Sequence, residues 1–151
     1  MTTFHRDRRP SVDAIRALYA AAPLRRPVHD PARIAAMFEG ANLVLTAYDG
    51  DRLVGILRGW TDFVYDGYIC DLAVHPGYQK GSGVGRGLLD LALATHEGIH
   101  WVLQAAPLAK DYYAHLGWKA IANGWEMPRK GWTPGSYEAF TAEHADLARR
   151  A

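Results

Sequence analysis

The sequence is poor in cysteine, with Cys70 as the single thiol among 151 residues. One cysteine can form neither an internal disulfide nor a paired-cysteine zinc or redox motif, which favours a reducing, cytoplasmic setting. No stretch approaches the roughly 20 apolar residues that a membrane-spanning helix needs. The arginines near the N-terminus (Arg6, Arg8, Arg9) precede no apolar run, so we expect no signal peptide and no membrane partner.

The chain also lacks an excess of charge of either sign. Seventeen Lys and Arg residues balance sixteen Asp and Glu residues, for a formal net charge of +1. Nucleic-acid binding usually needs a strongly basic face, so we expect no nucleic-acid partner. Neither repeats nor Gly/Ser linkers divide the sequence. We therefore expect a basic, solvated or disordered arm over residues 1–10, a single domain over 11–130, and a tail over 131–151 with a possible short helix.

The hydrophobic periodicity changes along the chain from helical to extended. Ser11 and Asp30-Pro31 are typical helix starts, and Asp49-Gly50-Asp51 is typical of a hairpin turn between two β-rich segments. Tyr68–Val74 reads as a central strand. Further on, the patterns predict a helix over about 83–97, a strand over 101–104, a helix over 107–115, and two closing strands over 118–121 and 125–127. This order predicts an open, mixed α/β sheet.

The densest local signal is the glycine-rich stretch Gln79–Arg86, between the central strand and a helix. Glycines allow the backbone to approach an anion closely, and a helix N-terminus offers free N–H groups with a partial positive charge. The stretch contains no Gly-Lys-Ser/Thr of a P-loop, and no frame fits the Gly-x-Gly-x-x-Gly dinucleotide pattern. It therefore predicts a phosphate-bearing ligand of another class. A plain connector is the alternative.

Two blocks of the sequence resemble the GNAT superfamily of N-acetyltransferases. Asp71–Leu89 is similar to its acetyl-CoA-binding segment, in which a strand and a proline precede a Gln/Arg-x-x-Gly-x-Gly loop and a helix. Gln79 lies one residue too far from Gly83, so either Lys80 takes the Gln/Arg place or one glycine is inserted. Ala109–Trp118 is similar to the family's A…YxxxGF block. The resemblance spans about residues 11–128.

The resemblance implies a GNAT-like mixed, mostly antiparallel sheet of six to seven strands, with helices on both faces and a splayed central strand pair. The pair would be the strand ending at Val74 and the strand over 101–104. Acetyl-CoA would be the co-substrate, with its pantetheine arm in the gap, and no metal ion would take part. The cofactor-binding residues implied are Leu72, Ala73, Val74, Gln79, Lys80, Gly81, Ser82, Gly83, Val84, Gly85 and Arg86.

The same resemblance implies that Tyr113 is the general acid that protonates the leaving thiolate. A phenol with a pKa near 10 is protonated at neutral pH and can donate to sulfur. Its neighbour Tyr112 is expected to pack in the core. Asp71 could accept a proton from the amine or anchor it, and a capped or surface carboxylate is an equally good interpretation. Trp60 and Trp125 could line an acceptor pocket, although plain core packing is the commoner role of aromatic residues.

The resemblance thus implies an N-acetyltransferase that acts on a primary amine by direct attack in a ternary complex. A small-molecule amine is favoured as the partner, while a peptide N-terminus and a protein lysine remain open. A GNAT-fold module that senses acyl-CoA without turnover is the alternative. The family also makes a homodimer plausible.

Overall fold

The computed structural model describes residues 1–151 as a five-stranded sheet with helices on both faces. Adjacent strands are antiparallel except for the last pair, which is parallel. The mixed, mostly antiparallel architecture is as predicted, but the expected count of six to seven strands is wrong. In spatial order the strands are β1 (Thr2–His5), β2 (Leu43–Asp49), β3 (Arg52–Thr61), β4 (Asp66–Val74) and β5 (His100–Leu103).

The helices begin where the sequence offers side-chain caps. The Ser11 hydroxyl accepts a hydrogen bond from the Ala14 N–H, and the Asp30 carboxylate accepts one from the Arg33 N–H. No helix combines the length and apolarity required to cross a bilayer. The helices are α1 (Val12–Ala21), α2 (Pro31–Glu39), α3 (Val84–Leu93), α4 (Lys110–His115), α5 (Tyr137–Glu143) and α6 (Ala145–Ala148).

The sheet separates two hydrophobic cores. On one face, α1, α2 and α5 bury side chains such as Leu18, Ile34 and Phe140 against β2, β3 and β4. On the other face, α3 buries Leu88 and Leu89 against the same strands. Each core is closed by amphipathic helices that present one apolar stripe to the sheet. The tail over 131–151 is therefore part of the folded unit rather than an appendage.

The N-terminal segment is not a disordered arm, contrary to the expectation for residues 1–10. Strand β1 pairs with β2 from Thr2↔Asp49 to His5↔Thr46. The ring of Phe4 packs so closely on α3 that a Cβ added at Gly87 would lie 2.5 Å from it. The Arg8 guanidinium lies 3.6 Å from the centroid of the Tyr48 ring. The arginines suggested a solvated arm, but Thr-Thr-Phe is a β-forming sequence that finds a free sheet edge.

The two closing strands expected over 118–121 and 125–127 do not form. Trp125 is 96% exposed and Met127 is 92% exposed. A strand is stable only when its backbone is paired and one of its faces is covered by other residues. The side chains of Trp125 and Met127 are not covered in this way. Strand β5, with four residues, is consequently the last strand of the sheet.

A β-bulge divides strand β4. Arg58 of β3 pairs with Asp71 and Gly59 pairs with Ile69, so Cys70 is an extra residue between them. In a regular strand Ile69 and Ala73 would share a face. Here Ile69 packs in the core under α3, and Ala73 packs in the core under α1 and α2. The bulge thus reverses the alternation and turns Asp71 towards α1.

Candidate active site

A large cleft opens where the parallel strands separate. Strands β4 and β5 pair from Asp66↔His100 to Ile69↔Leu103, and β4 then continues to Val74 without a partner on that side. The cleft has a volume of about 750 Å³ and lies between the end of β4, the glycine loop and α4. Strands β4 and β5 are the splayed central pair that the resemblance implies.

The glycine loop bends back through three residues with left-handed backbone conformations. The φ angles are 54° at Lys80, 95° at Gly81 and 78° at Gly83, which caps the N-terminus of α3. The Ser82 hydroxyl donates to the Tyr78 carbonyl and accepts from the Val84 N–H, which holds the loop in this shape. Such a loop directs backbone N–H groups and the positive end of α3 into the cleft, an arrangement that favours anions.

All eleven residues predicted to bind the cofactor line this cleft. Of the two candidates for the Gln/Arg place, Gln79 uses its side-chain amide to donate to the Val74 carbonyl at 2.8 Å. The side chain of Lys80 has no hydrogen bond or ion pair within the chain, so its ammonium group is free to meet an anion. The residues brought together are Leu72, Ala73, Val74, Gln79, Lys80, Gly81, Ser82, Gly83, Val84, Gly85 and Arg86.

Tyr113 lies between the large cleft and a second, small pocket of about 220 Å³, and it lines both. Its ring contacts Tyr112 and Trp118 edge-on, with centroids 5.4 and 6.0 Å away. Burial, with a smaller contribution from Tyr112, raises the pKa of Tyr113 to about 12. The phenol is therefore protonated at neutral pH, and its hydroxyl makes no hydrogen bond within the chain.

Tyr112 does not pack in the core, contrary to expectation. Its side chain is 38% exposed and lines the large cleft only. A Cβ added at Gly85 would lie 2.8 Å from the Tyr112 hydroxyl oxygen. The ring therefore covers the first turn of α3, where any larger residue in place of Gly85 would displace it.

Asp71 has neither of the roles considered for it. Its carboxylate is buried and accepts from the Tyr19 hydroxyl at 2.8 Å, from Arg26 at 2.7 Å and from Arg58 at 2.5 Å. Burial alone would raise the pKa of Asp71, but the positive charges of Arg26 and Arg58 hold it below its ordinary value. Asp71 lines neither the cleft nor the small pocket, and both its oxygens are occupied. It is a structural ion-pair partner rather than a base or a surface carboxylate.

A sequence signal for this network existed but was missed. Arg58 and Asp71 are lone charges in two otherwise apolar strand segments, and a buried charge requires a partner. Their pairing across β3 and β4 could have been inferred once those strands were aligned. The contacts of Arg26 and Tyr19 with Asp71 could not have been inferred, because they depend on the packing of α1 and the segment that follows it.

The tryptophans suggested for an acceptor pocket lie elsewhere. The Trp60 indole donates to the Gly40 carbonyl at 2.7 Å, and its ring stacks on Tyr68. Trp125 is almost fully exposed. Neither side chain lines the cleft or the small pocket. Cys70 does line the small pocket, and burial raises the pKa of its thiol, so it is a poor nucleophile there.

Comparison with known proteins identifies the class to which this chain belongs. A family model described as an acetyltransferase (GNAT) domain matches residues 19–134. The chain therefore belongs to the GNAT acetyltransferase family, which transfers acetyl groups.

Solved structures of other proteins share the fold. A protein from meticillin-resistant Staphylococcus aureus named a probable acetyltransferase superposes with a TM-score of 0.73 at 23% identity, covering 87% of this chain and 100% of that one. A GNAT-family acetyltransferase from Streptococcus pneumoniae gives 0.67 at 20% identity, with coverages of 87% and 100%. An aminoglycoside acetyltransferase from an uncultured soil sample gives 0.60 at 19% identity, with coverages of 86% and 99%.

Similarity to a curated protein is more local. A histone acetyltransferase from Glycine max is 32% identical over 76 residues, which represent 48% of this chain and 32% of that protein. The match thus covers about one third of the relative's length.

Proposed function

We propose that this protein transfers the acetyl group of acetyl-CoA to a primary amine, with a small molecule favoured as the acceptor. The observation that carries the proposal is the position of Tyr113, whose side chain borders both the anion-favouring cleft and the small pocket. A proton donor at that junction lies where a thioester from one side and an amine from the other would meet.

The cleft supports acetyl-CoA as the donor. The glycine loop and the N-terminus of α3 would bind the pyrophosphate, with the free ammonium group of Lys80 beside them. The unpaired side of β4 at Leu72 and Val74 offers backbone groups to the amides of the pantetheine arm. The volume of the cleft, about 750 Å³, is in the range of cofactor sites.

The proposed chemistry is direct attack in a ternary complex. The neutral amine nitrogen bonds to the thioester carbonyl carbon, and the resulting tetrahedral intermediate loses one amine proton to water and expels the sulfur. Tyr113 donates its phenolic proton to that sulfur, releasing CoA as the thiol, and regains a proton from solvent. No Asp, Glu or His lines the small pocket, so the ammonium form of the acceptor loses its first proton to water.

Calorimetric titration with acetyl-CoA, with ATP and NAD as controls, tests the cofactor assignment. We expect micromolar affinity for acetyl-CoA alone, followed by amine-dependent release of the CoA thiol in a spectrophotometric assay. Failure to bind acetyl-CoA would overturn the proposal. Binding without thiol release from any amine would instead favour a module that senses acyl-CoA.

Replacing Gly83 tests the role of the glycine loop. We expect Gly83→Asp to weaken acetyl-CoA binding about tenfold, because its carboxylate would repel the pyrophosphate at the N-terminus of α3. Gly83→Asn is the matched control, since asparagine has the same shape, tolerates a left-handed conformation and adds no charge. Both variants should fold, because Asp and Asn are the side chains that best tolerate the left-handed conformation of Gly83. Equal acetyl-CoA affinities in the two variants would show that the pyrophosphate lies elsewhere.

A further inference from the structure

The small pocket beside Tyr113 is unusually cationic for a site that would receive an amine. Arg25, Arg26 and Arg129 line it, and no acidic residue does. We propose that the acceptor amine carries an anionic group, a carboxylate or a phosphate, which this arginine pocket recognises. The inference rests on the proposed acetyl transfer and specifies its substrate class.

The carboxylate of Asp71 does not neutralise the positive charge of the pocket. Arg26 and Arg58 share the single carboxylate of Asp71, so two guanidinium groups face one negative charge. Arg26 also donates to the Cys70 carbonyl at 3.1 Å, which fixes its side chain at the pocket wall. The buried network therefore leaves one net positive charge beside the acceptor site, where low exposure limits screening by solvent.

Arg25 is held in place by neutral groups. It donates to the Gly135 carbonyl at 2.8 Å, and its guanidinium lies 4.3 Å from the centroid of the Tyr137 ring. Hydrogen bonds from its own backbone and from the Ser136 side chain lower the pKa of the exposed Glu138, with a smaller contribution from the charge of Arg25. Glu138 does not line the pocket. Arg25 thus retains N–H groups for a ligand.

Arg129 is the freest of the three. It is exposed and has no hydrogen bond or ion pair with any residue of the chain. A guanidinium presents paired N–H groups that match a carboxylate or a phosphate, and such charge-assisted hydrogen bonds are stronger than neutral ones. The same charges repel a second ammonium group, so polyamines and lysine-rich peptides suit the pocket poorly.

Matched amines test the substrate class in the acetyl-CoA assay. Three carboxylates, L-leucine, L-phenylalanine and γ-aminobutyrate, are each compared with the corresponding carboxamide and with the decarboxylated amine. Phosphoethanolamine is compared with ethanolamine, and spermidine represents polycations. With rates expressed per neutral amine, we expect at least one anionic probe to exceed its uncharged counterparts by about 10- to 100-fold in kcat/KM. The leucine and phosphoethanolamine arms distinguish carboxylate from phosphate recognition.

Removal of one guanidinium provides the second measurement. Arg129→Gln should lower kcat/KM for the preferred anionic amine about 10-fold or more, mainly through KM, and should lower that for its neutral counterpart by a much smaller factor. Arg33→Gln is the control, because Arg33 is exposed on α2 outside both cavities. Direct calorimetric titration of the anionic amines into the wild type and Arg129→Gln measures the same preference without acetyl-CoA.

The outcomes separate this inference from the proposed function. If thiol release were as fast with carboxamides, simple amines or spermidine as with the anionic amines, or faster, the inference of an anionic acceptor would be wrong. The proposed acetyl transfer would still stand. Anion-selective binding that Arg129→Gln abolishes, in a protein that fails to bind acetyl-CoA, would support the pocket and overturn the transferase proposal. Absence of both turnover and binding for every anionic probe would overturn the inference.

Discussion

Replacing Asp71 with asparagine is expected to lower the free energy of unfolding by about 3–5 kcal/mol, because it leaves the buried guanidinium group of Arg58 and the half-buried one of Arg26 without their counter-charge. For a chain of this length the melting temperature should fall on the order of 10 °C, measurable by calorimetry or circular dichroism. The wild-type carboxylate has a lowered pKa, so its stabilisation is complete above the unfolded-state pKa of about 3.9. That stabilisation is lost as the pH falls through the lower folded-state pKa.

The matched control for this prediction is Asp51→Asn. Asp51 also pairs with an arginine, Arg8, at 3.1 Å, but its side chain is fully exposed. Solvent and salt screen an exposed ion pair, which contributes little to stability, so this variant should melt near the wild type. If Asp71→Asn were as stable as Asp51→Asn but lost turnover and its pH dependence, Asp71 would be a catalytic base and the structural assignment would be wrong.

Substitution of Tyr113 by phenylalanine is expected to lower kcat about 10²-fold and to leave the dissociation constant of acetyl-CoA nearly unchanged. The substitution removes only the hydroxyl that would protonate the departing sulfur, and proton transfer typically contributes about this much. With a pKa of about 12, the phenol is protonated across the usual assay range, so it should introduce no decline in rate between pH 7 and 10. Steady-state kinetics and calorimetry on the same preparation measure the two quantities.

Tyr112→Phe is the comparison for this variant. It deletes the same atom from the adjacent ring, which borders the large cleft but not the small pocket. Its kcat should change by less than about tenfold. A Tyr113→Phe enzyme with wild-type kcat would exclude the phenol as the general acid, and an equal loss in both variants would point to a disturbance of α4 rather than to proton transfer.

Local chemistry made much of the site predictable. Helix caps at Ser11 and Asp30, the hairpin turn at Gly50 and the glycine loop depend on residues close together in sequence, and the structure contains each of them. Tyr113 could be chosen from the A…YxxxG[F/W] block for the same reason. Its proposed role as the acid stays a prediction that the phenylalanine variant decides.

The missed features depend on contacts between distant parts of the chain. Tyr19 and Asp71 are 52 residues apart, and Arg25 approaches Gly135 across 110 residues. No periodicity predicts such approaches. The bulge at Cys70 was also missed, because one extra residue leaves the apolar character of β4 unchanged while it reverses which side chains face α1. Conversely, the segments over 118–121 and 125–127 have strand-like composition but no neighbour with which to pair.

The separation of β4 from β5 places an unpaired strand edge in the interior of a sheet. Exposed edges usually invite pairing with other chains, and proteins protect them with charges, prolines or covering elements. Here the edge at Leu72 and Val74 lines the same cleft as the glycine loop and α4, and these two elements flank it. These flanking elements limit pairing of the edge with a strand of another chain, while the cleft beside it stays open to a small ligand.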